Sequence, residues 1–113
     1  MSIKQIILIV EDDNDINNLL AEILRRADYE VHQAFSGTEG RLLFGQQRPA
    51  LMLVDLMLPG ITGEELIEHV RQSSMVPVIV VSARDTGKDK VNACLFYPSY
   101  AADDLLWSAL GWC

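Results

Sequence analysis

Acidic residues recur in this sequence where apolar runs end. Glu11, Asp12 and Asp13 follow the run QIILIV at 5–10, and Asp55 follows LMLV at 51–54. Ser82 and Ala83 follow a third run, PVIVV at 77–81. If these runs are neighbouring strands of one parallel sheet, their carboxyl ends share an edge, which is where open α/β sheets hold ligands. Like charges gathered there resist joint ionisation, and a bound cation removes the penalty. Oxygen-only ligands suit a hard divalent ion, Mg²⁺ or Mn²⁺. Glu11 to Asp13 alone are equally well explained as acids favouring the positive end of a following helix. Asp55 is harder to explain that way, and the two acidic clusters together favour an ion site.

The elements that must position these groups are legible as alternating patterns. Continuous β-branched runs at 5–10, 51–54 and 77–81 mark strands covered on both faces, whereas Glu30 to Ala34 reads as a more polar strand near a sheet edge. Ile16, Leu19, Leu20, Ile23 and Leu24 repeat at helical spacing and predict one apolar helix face. Ser36 with Glu39, and Thr62 with Glu65, fit capping boxes. The first opens a helix carrying Leu42, Leu43 and Phe44; the second leads into Leu66, Ile67 and Val70. Pro59-Gly60 signals a turn. Strand and helix in strict alternation predict right-handed crossovers and a doubly wound α/β fold around a parallel sheet. His32 and His69 fall on surfaces away from the acids and are expected to be solvated.

Length and charge narrow the function. The chain has 113 residues and a formal charge of −7, which suits one folded domain and offers no basic patch for nucleic acid or an anionic membrane. No apolar stretch approaches the length of a membrane span. The opening run breaks into acids instead of a small-residue cleavage site, so a cytoplasmic protein is expected. Cys94 and Cys113 are too few and too close for a disulfide framework and are expected to be free thiols.

The segments ILIVEDDNDINNLL, LVDLMLPGITGEEL and PVIVVSAR, in this order and spacing, resemble the receiver domain of two-component response regulators, of the type that usually precedes a winged-helix DNA-binding domain. The resemblance covers about four-fifths of the chain. It implies a flavodoxin-like sheet of five parallel strands in the order 2-1-3-4-5. It makes Asp55 the phosphoacceptor, with Glu11, Asp12, Asp55 and the backbone carbonyl of Met57 holding Mg²⁺ or Mn²⁺. Asp13 is then a lesser neighbour, Ser82 the switch hydroxyl and Ala83 the residue leaving room for the phosphodonor. The implied partner is a sensor histidine kinase, and the implied role is signalling, with no catalysis beyond the domain's own phosphorylation and dephosphorylation. A phosphatase-type hydrolase would need a second acid shortly after Asp55, which Leu56-Met57-Leu58 does not supply.

The pattern breaks towards the C-terminus. Residues 1–93 form the receiver-like core, whereas 94–113 hold both tryptophans, both cysteines and no Lys or Arg. Receivers carry a lysine followed by proline after the fifth strand; here the best match is Tyr97-Pro98, and no lysine follows Lys90. A phenol donates a hydrogen bond but offers no cation. Two readings stay open. Either Leu95 to Tyr97 complete the sheet and Ala102 to Leu110 form a shortened helix, or 94–113 is a foreign, frameshifted end on a receiver that stops after its fourth helix. Lys88, Asp89 and Lys90 belong to the face by which relatives dimerise, yet the tail offers Phe96, Tyr100, Trp107 and Trp112 in place of basic partners. Trp107 lies off the leucine stripe, so it either forms an apolar contact with a second copy or packs on its own domain. The alternative function is a pseudo-receiver, an interaction module without a working phospho-switch.

Overall fold

Apolar residues at consecutive strand positions demand cover on both faces of a sheet, and the fold supplies it. The computed structural model describes residues 3–82 and the strand Asn92–Phe96. In chain order the elements are β1 (Ile6–Val10), α1 (Asn14–Arg26), β2 (Glu30–Ala34), α2 (Gly37–Gln47), β3 (Leu51–Val54), α3 (Gly63–Arg71), β4 (Val78–Ser82) and β5 (Asn92–Phe96). The sheet order is β2-β1-β3-β4-β5, and β1 to β4 are mutually parallel. Side chains alternate between faces along each strand. Leu8, Val10, Met52, Val54 and Val78 therefore share one layer with Leu66 and Val70 of α3 and with Leu43 and Phe44 of α2. Ile7, Ile9, Val31 and Leu53 share the other layer with Ala21, Leu20 and Leu24 of α1.

Both capping signals operate, one with a shift. Thr62 accepts from the Glu65 amide at 3.1 Å while Glu65 accepts from the Thr62 amide at 2.9 Å, a reciprocal box that starts α3. Ser36 accepts from the Glu39 amide at 3.0 Å, but the Glu39 carboxylate takes the amide of Phe35 at 2.8 Å instead of the cap's own.

Three expectations are corrected. The inward stripe of α1 is not the leucine-rich one: Asn17 and Ala21 are buried, Ile16, Leu20 and Leu24 flank them, and Leu19 and Ile23 are 55% and 52% exposed. At 3.6 residues per turn, positions 19 and 23 sit nearly opposite 17 and 21, and the small Ala21 lets the helix approach the sheet. The fifth strand is present next to β4, but it spans Asn92–Phe96 and runs antiparallel, with Ser82 opposite Asn92 and Val78 opposite Phe96. A parallel return needs a crossover of a dozen or more residues, and 83–91 is shorter than that. His32 is half-buried beside Glu30 at 2.9 Å, and His69 packs edge-on against Phe44 at 6.3 Å, so neither is simply solvated. The readings placed on Lys88 to Lys90, Tyr97-Pro98, Tyr100, the helix at 102–110, Trp107, Trp112 and Cys113 lie outside the described residues.

The corrected stripe predicts a contrast in equilibrium urea unfolding. Leu66→Ala, in the closed layer under α3, costs about 2–5 kcal/mol, whereas Leu19→Ala stays within about 0.5 kcal/mol of the parent.

Candidate functional site

Register places the acids. Val10 pairs with both Ala34 and Val54, so the residues that follow leave the sheet side by side. The ladder runs one step further: the Glu11 amide donates to Ala34 O at 3.0 Å and the Asp55 amide to Val10 O at 2.9 Å. Glu11, Asp12 and Asp55 consequently present carboxylate oxygens that all lie within 4.8 Å of one another. Glu11 is 4% exposed and Asp55 9%, while Asp12 faces solvent. Asp13 has a different job. It is the N-cap of α1, accepting from the Ile16 amide at 3.0 Å, so the helix-cap explanation holds for this acid and not for its two neighbours.

The β3–α3 connection is built tightly around Asp55. The Met57 amide donates to Asp55 Oδ1 at 3.1 Å, fixing the carboxylate, while the Met57 side chain is 63% exposed. Gly60 turns the chain at φ +82°, a left-handed conformation that side chains disfavour. Gly63 then begins α3, its amide donating to Leu56 O at 3.1 Å. A Cβ at Gly63 would collide with the carbonyl oxygen of Asp55 and lie 2.6 Å from Leu56 Cα. The helix can start this close to the acid only because position 63 is glycine.

Burial makes the cluster electrostatically tense. Loss of water around Glu11 is the main cause that pushes its carboxyl up from the ordinary 4.5 to about 8; the Asp13 amide, donating at 3.0 Å, pulls the other way. The charge of Asp55 and side-chain hydrogen bonds with Asp55 and Asp12 add to the rise. A proton or a cation relieves this arrangement. Three convergent carboxylates, with no sulfur or imidazole among them, fit Mg²⁺ or Mn²⁺.

Other expected members distribute unevenly. Val54 pairs with Val80, so Ser82 ends β4 at the same edge where Asp55 leaves β3. Ala83 lies outside the described residues. One contributor escaped the sequence pattern altogether: Asn17, fully buried on α1, donates from Nδ2 to Glu11 O at 2.9 Å and Ala34 O at 3.0 Å. The available signal was an amide at the i−4 position from Ala21, on the stripe that faces the sheet.

A match to the response regulator receiver domain covers residues 7–105. The chain belongs to this family. The receiver is 44% identical over 89 residues to the uncharacterized transcriptional regulatory protein YrkP of Bacillus subtilis, covering 79% of this chain and 38% of that protein. It spans roughly two-fifths of the curated relatives it matches, between 37% and 42% of their length. Among solved structures it is similar to the response regulator TrrA of Thermotoga maritima, in complex with Mg²⁺-BeF, at 30% identity and TM-score 0.68, covering 72% of this chain and 71% of that one. The BeF3-activated receiver domain of Klebsiella pneumoniae RstA matches at 29% identity and TM-score 0.69, covering 74% and 71%. These relatives share the flavodoxin-like frame of β1 to β4. No helix among the described residues is long and apolar enough to cross a membrane.

The raised Glu11 carboxyl predicts an unusual pH dependence for the metal-free receiver. Between 4.5 and about 8 the folded state keeps a proton on Glu11 that the unfolded chain has released, so this contribution to stability fades as pH rises through that window. In EDTA the Tm should be higher at pH 5.5 than at pH 8.5. Excess Mg²⁺ should narrow the gap by raising the pH 8.5 value, and Glu11→Gln should flatten the profile. These are readable by differential scanning calorimetry.

Proposed function

We propose that this receiver takes a phosphoryl group from a sensor histidine kinase onto Asp55, with Mg²⁺ held by Glu11, Asp12, Asp55 and the backbone carbonyl of Met57. The observation that carries the reading is a nine-tenths buried carboxylate on one strand end, converging within 4.8 Å on two acids from the next. The Mg²⁺ carried by the Thermotoga relative supports the choice of cation. When bound, the ion would neutralise charge on the transferring phosphoryl group.

The chain's own residues supply position and a nucleophile. Asp55 attacks phosphorus through a carboxylate oxygen, a P–O bond forms, and the P–N bond to the donor imidazole breaks, the imidazole nitrogen accepting a proton from solvent. Hydrolysis by water returns the free carboxylate and inorganic phosphate. The Met57 amide at Asp55 Oδ1 restrains the side chain and so fixes the direction in which the carboxylate meets phosphorus. Asp12, exposed, offers a carboxylate at the rim, whereas Glu11 forms the dry wall behind it. Ser82 is proposed as the switch hydroxyl and Ala83 as the small residue at the donor's entry. The role is signalling: the aspartyl phosphate changes protein contacts, and in whole regulators of this type the output is transcription.

Incubation with Mg²⁺ and acetyl phosphate, followed by intact-protein mass spectrometry, should show a single phosphoryl adduct. Asp55→Asn and excess EDTA should each abolish it. An adduct that persists in Asp55→Asn overturns the assignment.

A further inference from the structure

Among the described residues, Asn17 is the one buried uncharged polar side chain, at 0% exposure, and both its amide nitrogen and its oxygen are hydrogen-bonded. Its amide nitrogen bridges two backbone carbonyls from different elements, Glu11 O beyond β1 and Ala34 O at the end of β2. Its oxygen accepts from Gln33 Nε2 at 2.9 Å, and the same Gln33 nitrogen also reaches Asn18 Oδ1 at 2.9 Å. Ala34 O in turn receives the Glu11 amide at 3.0 Å, so both sides of residue 11 are tied to the end of β2, one directly and one through Asn17. The Asn17 backbone N–H donates to Asp13 O at 2.9 Å, which closes the first turn of α1.

A short loop carrying adjacent acids has two soft dihedrals per residue and, if left free, would splay its like charges apart. The Asn17 bridge holds the peptide joining Glu11 to Asp12, and with it the directions in which both side chains leave the backbone. We propose that Asn17 is a positioning residue for the acidic site: its amide clamps the Glu11–Asp12 peptide to β2 and so pre-sets the carboxylates for a divalent cation. This inference rests on the proposed cation role of Glu11 and Asp12. It extends that role to a side chain that touches neither the ion nor the phosphoryl group. Outer partners that orient ligands commonly change metal affinity by roughly 10- to 100-fold.

Isothermal titration of the full chain with Mg²⁺ tests it, with circular dichroism as the check on folding. Asn17→Ala removes both donated hydrogen bonds and should weaken Mg²⁺ binding roughly 10-fold or more. Asn17→Ser, whose hydroxyl can satisfy one carbonyl, should fall between the parent and Asn17→Ala. Val70→Ala, a cavity in the opposite core layer, should lower the Tm and leave the Mg²⁺ Kd unchanged. If Asn17→Ala does not fold, Asn17→Ser decides; if neither folds, Gln33→Ala decides, because it unlatches the Asn17 oxygen from the half-buried end of the same chain of bonds. A folded Asn17 variant with parental Kd, or a weakening matched by Val70→Ala, overturns the positioning role alone. A parent protein that binds no Mg²⁺ overturns it together with the cation reading.

Discussion

Pairing Val10 with Val54 delivers Glu11 and Asp55 to one point at the edge of the sheet, where each loses much of its water and meets the other's charge. A one-residue slip of β3 would carry Asp55 about 3.3 Å along the strand and turn it to the other face. The register is held because both faces are packed. Leu8, Val10, Met52 and Val54 fill one layer, and Ile7, Ile9 and Leu53 fill the other. Bringing the acids together is therefore a consequence of burying the strands, and the hydrophobic layers carry the electrostatic cost.

The polar contacts around the acids orient them more than they neutralise them. Single amides from Asp13 and Met57 reach Glu11 and Asp55, and neither amide brings a full charge. The described ion pairs, Lys4 with Asp28, Arg26 with Glu22 and His32 with Glu30, all lie elsewhere. For Glu11, desolvation outweighs the hydrogen bond it accepts, which is why its carboxyl sits near 8 and not below 4.5. An arrangement fixed in geometry, with no full positive charge among its described contacts, fits the cation proposed for it. Gly63 serves the same end from the other side, letting α3 abut the Asp55 peptide where any side chain would force it away.

The sequence made the parts with the strongest periodic or local signals readable. The runs at β1, β3 and β4 and the Thr62–Glu65 box follow from short-range chemistry, and Glu11, Asp12 and Asp55 were legible because acids end runs that can only be buried strands. The α1 face was misread because hydrophobicity counts Leu19 and Ile23 above Ala21 and Asn17, whereas close approach to a sheet rewards a small side chain and a satisfied amide. Asn17 was invisible for the same reason: its partners are backbone carbonyls at positions 11 and 34, and no residue-type pattern announces a carbonyl. Asp13 could not be separated from its neighbours until the start of α1 fixed which acid was the cap.

The direction of β5 bears on the missing lysine. A fifth strand parallel to β4 would end at the edge that holds the acids, and a cation there could meet a phosphoryl group on Asp55. In the antiparallel arrangement Phe96 ends β5 opposite Val78, while Asn92 is the residue opposite Ser82. Four residues of strand separate those ends, about 13 Å at the usual rise. Within Asn92–Phe96, β5 therefore leads away from the acidic edge. Tyr97 itself lies outside the described residues. On the described part of the acidic edge, the carboxylates of Glu11, Asp12 and Asp55 lie within 4.8 Å of one another, and none of the described ion pairs supplies a cation to them.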